Sequence, residues 1–211
     1  MTVTLRDCPF RKIYRRVFLL TPEGSGALPP GPKKKQSYAA ACFVSHTEGM
    51  VIALLARAEL SEGRLQLNAD GEAEYSLLQP AAVPALAAAE LTLLPEGAQP
   101  ALAQRFAAPL AHLSARYAAD ENIELTRSIE LLDAHRLPLR PDDIRVLLGR
   151  ESSERDPEEC ILRCERLANP QLIGTVISEN SAGVPQGTQL PFVIVRQPER
   201  ENRVVCLAVV A

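Results

Sequence analysis

Two apolar runs, residues 189–196 and 203–210, constrain this chain more than any other feature of its sequence. Each is rich in β-branched residues and of strand length, and the polar stretch between them is short enough for a hairpin. With the apolar run 171–178 before them they predict antiparallel strands, with Phe192, Ile194, Val204, Cys206 and Val209 among the core positions. Aromatic residues make up 4% of the chain and Trp is absent. The core must therefore be filled by interdigitated Leu, Val, Ile and Ala.

A second β region lies toward the other end. Residues 38–45 and 50–58 are apolar arms around His46-Thr47-Glu48-Gly49, and 64–67 and 72–78 flank Asn68-Ala69-Asp70-Gly71, where Asp-Gly is a strong hairpin cue. These runs predict a meander of antiparallel strands. Between the two β regions the pattern turns helical. Pro84 and Pro100 suit first turns, Leu102, Phe106, Leu110, Leu113 and Tyr117 form an apolar stripe, and Pro109 should kink or divide the helix that carries them. The pattern further predicts helices over 126–135, over 141–149, where Pro141-Asp142-Asp143 resembles a first turn, and over 156–169. For 9–20 and 122–135 helical and strand periodicities both fit, and the two readings stay open.

The fold class expected is α+β: an antiparallel sheet from the N-terminal meander and the C-terminal strands, with helices 80–168 packed on one face. The length of 211 residues suits a single domain, 1–211, or two apposed halves, 1–119 and 120–211. Residues 21–36 carry Pro22, Gly24, Gly26, Pro29, Pro30, Gly31 and Pro32, and read as a flexible loop. Its glycines and lysines do not make a phosphate loop, because the prolines remove the backbone N–H donors such a loop needs.

Charge is uneven. Residues 1–36 hold eight basic and two acidic side chains, a local charge of +6, on a chain whose net charge is −3. Arg11, Lys12, Arg15, Arg16, Lys33, Lys34 and Lys35 are accordingly the candidate partner-binding residues. Nucleic-acid binding would need them to form one exposed stripe, and a basic arm folding back on an acidic body is preferred. No uninterrupted apolar run reaches the length of a membrane span and no signal-peptide pattern follows the first basic residues, so a soluble cytoplasmic protein, from a bacterial gene by its Ala and Arg usage, is expected.

Cysteines 8, 42, 160, 164 and 206 mostly lie inside apolar runs and read as reduced core thiols. Cys160 and Cys164, four apart, would share a helix face, but no histidine stands at ligand spacing, so no metal and no cofactor is assigned. Cys42 with His46 is a conceivable nucleophile and base, in surroundings that would raise the thiol pKa. No catalytic residue is assigned, and the reading leans away from an enzyme.

One constellation carries a family resemblance. Leu125-Thr126-Arg127-Ser128-Ile129-Glu130, then Ile161-Leu162-Arg163, then Pro170 to Ile177 and Val184-Pro185, resembles the chorismate lyase family and its UTRA-like ligand-binding relatives in transcription regulators. The resemblance implies that Arg163, on a strand, holds a ligand carboxylate, with Thr126 and Glu130 nearby. The residue pattern by itself puts Arg163 in a helix. The function expected first is a non-catalytic protein-binding role, as an adaptor, chaperone or immunity-type inhibitor. A small-molecule-binding protein or enzyme using Arg163 comes second, and nucleic-acid binding through the basic arm third.

Overall fold

A computed structural model describes residues 2–22, 35–61, 64–68, 75–150, 156–197 and 203–210. The chain divides into two compact units, Met1–Ala118 and Ala119–Ala211. Among the described residues no helix is long and apolar enough to cross a membrane.

The first unit contains β1 (Thr2–Thr4), β2 (Val17–Thr21), β3 (Tyr38–Ser45), β4 (Gly49–Ser61), β5 (Arg64–Asn68), β6 (Ser76–Leu78), β7 (Glu90–Leu93), α1 (Gln99–Arg105) and α2 (Ala107–Arg116). Among the described residues its strands form one antiparallel sheet in the order β1-β7-β2-β3-β4-β5, with β6 also on β4. The β3–β4 hairpin forms where the sequence predicts it, closing at Gly49, whose φ of 111° few side chains tolerate. The second predicted hairpin does not form: β5 and β6 pair with separate parts of β4 instead of with each other. The turn residues 69–74 lie outside the described residues.

β2, β3 and β4 are buried on both faces. Val17, Leu19, Ala39, Ala41, Phe43, Val51 and Ala53 pack with Leu102, Phe106 and Leu113 of the helical segment, while the alternate residues Phe18, Leu20, Cys42 and Ile52 are buried on the opposite face. The alanines let the helices approach closely, and the predicted stripe of α1 and α2 is the one that packs. The helix divides at Phe106 (φ −106°, ψ 27°), three residues before Pro109. This is the break expected when a proline ring would meet the carbonyl four residues back, leaving Pro109 in the first turn of a new helix.

Several expectations are corrected here. Residues 80–98 hold 3-10 turns and β7, not helix. In 9–20 the two periodicities share the segment: a 3-10 turn over Phe10–Lys12, then β2. Of the loop 21–36, residues 23–34 lie outside the described residues; at its base the Lys35 N–H donates to the Pro22 carbonyl at 3.0 Å.

The second unit begins with α3 (Glu121–Ser128), followed by β8 (Arg136–Leu137), β9 (Arg140–Arg150), β10 (Glu158–Ala168), β11 (Gln171–Val176), β12 (Gln189–Gln197) and β13 (Arg203–Val210). Strands β9 to β13 form a closed five-stranded barrel, with β8 added beside β9. Neighbours are antiparallel except at the seam, where β13 lies parallel to β9 with Leu207 opposite Leu147.

The helices predicted over 141–149 and 156–169 are therefore strands β9 and β10, and the picture of helices 80–168 covering one face of a single sheet does not hold. The alternation that wins is visible once they are paired: Ile144, Val146 and Leu148 point inward with Cys160, Leu162 and Cys164, and the residues between them point out. Pro141 stands near the start of its strand, where a missing N–H is tolerated. The helix expected over 126–135 occurs earlier, because Asp120 caps it by accepting from the Asn122 N–H at 2.8 Å and Glu121 and Glu124 lie in its first turn. It ends at Ile129, and a 3-10 turn over Glu130–Leu132 follows.

Of the predicted C-terminal core positions, Phe192 and Cys206 are buried and Ile194 packs against the core, but Val204 is half-buried and Val209 is 47% exposed. Inside the barrel Gly174 is required by contact. A Cβ there would lie 2.9 Å from Leu162 Cβ, 3.1 Å from the Arg163 carbonyl oxygen and 3.2 Å from the Phe192 ring.

Candidate functional site

The chemistry-bearing side chains of the second unit gather where β9 begins. Arg127 of α3 is 2% exposed and faces Asp142, also 2% exposed. Its Nε donates to Asp142 Oδ1 at 3.0 Å and its Nη2 to Oδ2 at 2.6 Å, a bidentate pair, while Nη1 reaches Glu124 Oε1 at 3.1 Å. Arg136 of β8 is buried beside it, donating to the Pro141 carbonyl at 2.6 Å, the Thr126 carbonyl at 2.9 Å and Asp133 Oδ1 at 3.2 Å. Burial lowers the Arg136 pKa below its ordinary value, and Asp133 opposes that shift. The Thr126 and Arg127 carbonyls to which Arg136 donates belong to the last turn of α3, where carbonyls run short of intrahelical donors, and the Thr126 carbonyl also accepts from the Ile129 N–H at 3.2 Å.

On the outer side of β9, Asp143 is 2% exposed and accepts from Arg163 Nε at 2.9 Å, with Arg140 Nη1 at 3.6 Å. Arg163 and Asp143 are direct cross-strand partners on β10 and β9. The candidate ligand residues are thus distributed unevenly. Arg163 is on strand β10, contrary to the helix read from its neighbours, and its guanidinium is engaged by Asp143. Thr126 is fully buried, donates to the Ile123 carbonyl at 2.8 Å and lies within hydrogen-bonding reach of Cys164. Glu130 is exposed at the start of the 3-10 turn.

The thiols are shielded. Burial pushes Cys164 and Cys206 up to about 12, against the opposing effect of Arg136, and Cys8 up to about 11. Cys42 is fully buried in β3, with its thiol 3.6 Å from the Phe43 carbonyl, while His46 lies in the turn beyond that strand. Cys160 and Cys164 do share a face, the inner one of β10. Among the described residues no group of three or more His, Cys, Asp or Glu could hold a metal ion.

The basic residues divide. Arg11, Lys12, Arg15 and Arg16 precede β2, where Arg16 pairs with Glu96 and the Arg15 guanidinium lies 5.1 Å from the centre of the Tyr14 ring. Lys35 lies past the other end of β2, about 16 Å away along five residues of strand. Lys33 and Lys34 lie outside the described residues. Sequence reasoning missed Arg127, Arg136, Asp142 and Asp143; the available signal was a charged pair within an alternating apolar run.

The barrel exterior also has two characters. Outward positions on β9, β10 and β11 include Asp143, Arg145, Glu159, Arg163, Glu165 and Thr175, linked by Arg145–Glu159 and Thr175–Glu165 contacts. On β12 and β13 the positions that alternate with the core residues are Val193, Val195, Val205, Leu207 and Val209, of which Val205 is buried, Val193, Val195 and Leu207 are half-buried and Val209 is exposed. Val193 pairs with Leu207 and Leu207 with Leu147 of β9, so an uncharged row crosses three strands. No family model, curated protein or solved structure matches this chain.

Proposed function

We propose that the chain is a non-catalytic protein-binding protein, and that the outward face of β12, β13 and the end of β9 is its contact surface. The observation that carries this reading is the half-buried apolar row Val193, Leu207 and Leu147, flanked by half-buried Val195 and the 47% exposed Val209, on a barrel whose other outward positions include Asp143, Arg145, Glu159, Arg163 and Glu165. Outer positions of a water-exposed barrel ordinarily alternate to polar residues, and a concentrated apolar patch marks an interaction site. Three strands and four residue steps span about 10 by 14 Å, well below the roughly 800 Å² per partner of a stable interface, so this face would form the apolar centre of a contact completed by a polar rim.

The test is a photo-crosslinking amino acid placed at Val209 and, as a control, at Glu159 on the charged side, in cells that naturally carry the chain. Covalent adducts to another protein are expected from position 209 and not from 159. Equal adducts from both, or none from 209, would remove the reading.

A second reading, a small-molecule-binding role for Arg163, is favoured by that residue's strand position and its place beside the partly exposed Arg140. A ligand carboxylate there would have to compete with Asp143, which already occupies the guanidinium.

A further inference from the structure

The end of the barrel at which β9 begins is covered by α3 and the following 3-10 turn, and the fastening of α3 differs in kind from the rest of the unit. α3 has eight residues, too few for a helix to be stable by itself in water, so it persists through what it docks on. Its buried side chains are Thr126 and Arg127, while Leu125 is 47% exposed. The docking of α3 itself therefore rests largely on the Arg127–Asp142 pair and on Arg136, whose guanidinium donates to the Thr126 and Arg127 carbonyls. The 3-10 turn beyond it is instead anchored in the barrel core by the fully buried Leu132, with Ile129 packed against the same core. A buried ion pair adds little net stability, because desolvation offsets the attraction, yet it fixes geometry and is costly to break by halves. The barrel beneath is held by a closed hydrogen-bonded ladder and an aliphatic core.

From this contrast we propose that α3 is a lid that opens while the barrel stays folded, with Arg127–Asp142 as its latch, exposing the inner faces of β9 and β10 at Asp142 and Cys164. Segments with few buried apolar contacts open at lower free energy than the core they cover. Cys164, fully buried with Thr126 of the lid beside it, reports the opening, and Cys160, four residues earlier on the same strand, serves as the reference.

Pulsed alkylation of the full chain with iodoacetamide at low urea, read by peptide mass spectrometry, tests the lid. Cys164 should react at least about tenfold faster than Cys160, with a weaker urea dependence, as sub-global opening requires. The double substitution Arg127→Met with Asp142→Leu replaces the latch by an apolar pair; it should slow Cys164 by about tenfold and leave Cys160 unchanged. Equal rates and equal urea dependence at the two thiols in the wild-type chain would overturn the proposal, as would an unchanged ratio in the double variant. The wild-type ratio decides the matter if the double variant does not fold.

Discussion

In Met1–Ala118 the central strands present aliphatic and aromatic side chains to both faces of the sheet, and none of the described residues in the buried class is charged; in Ala119–Ala211, Arg127, Arg136, Asp142 and Asp143 are all buried. The two units thus distribute their stability differently. In the first, the loss of a contact is shared among neighbours of the same chemistry, and a cavity can partly relax. In the second, a few charged groups satisfy one another, and the loss of one partner strands the other in a medium that cannot solvate it.

The sharpest way to break that comparison is Asp142→Leu alone. It leaves the Arg127 guanidinium buried with Glu124 as its remaining carboxylate partner among the contacts described above, and should cost the second unit about 3–5 kcal/mol. Residue-resolved amide signals followed through a urea titration would show the midpoint of Ala119–Ala211 falling while that of Met1–Ala118 holds. A loss below about 1 kcal/mol would mean that the pair is solvated, and the contrast between the units would disappear.

A smaller effect separates the units by pH. Cys164 and Cys206 are held near 12 by burial, against an ordinary value of 9.0, whereas in the first unit Cys8 is raised to about 11. A thiol whose folded pKa is raised keeps its proton in the folded state where the unfolded state has released it. The resulting stability is fully present below pH 9 and is lost as pH rises toward 12. Each such thiol contributes a slope on the order of 1 kcal/mol per pH unit across that window. The second unit should therefore weaken about twice as steeply as the first between pH 9 and 11, and Cys164→Ala should remove about half of its slope and so bring it level with the first. Parallel slopes for the two units would show that the thiols do not govern alkaline unfolding.

How much of this was legible in the sequence follows from the range of the interactions. The β3–β4 and β12–β13 hairpins could be read because turn chemistry and alternation are local, and the α1–α2 stripe and its division near Pro109 for the same reason. β9 and β10 were misread because their cues are ambiguous at short range. A spacing of four places Cys160 and Cys164 on one face of a helix and on one face of a strand alike, and Pro141-Asp142-Asp143 has the chemistry of a helix start. What decides is pairing: β9 lies between β10 and β13, the second of which starts more than fifty residues away in sequence. The polar cluster was hidden for the same reason, since Asp142 meets Arg127 fifteen residues off and Asp143 meets Arg163 twenty residues off. Among the candidate ligand residues, periodicity placed Arg163 on a helix, whereas pairing with β9 puts it on β10. Periodicity in so short a run cannot separate 2 from 3.6.

The smallest expected effect tests the inside and outside of one strand. The sequence suggested Val209 as core, but Val210 is the neighbour that packs against the core, Ala208 is 1% exposed, and Val209 points outward at 47% exposed. Val209→Asp should then change stability by no more than about 0.5 kcal/mol, as for other surface positions. Ala208→Asp, one residue away, would bury a carboxylate among Ile144, Val146 and Phe192 and should unfold the second unit. Thermal melts of the two variants read the strand's register directly. Because a one-residue slip exchanges the two faces, a large loss from Val209→Asp would place the apolar row inside the protein and remove the surface on which the protein-binding reading rests.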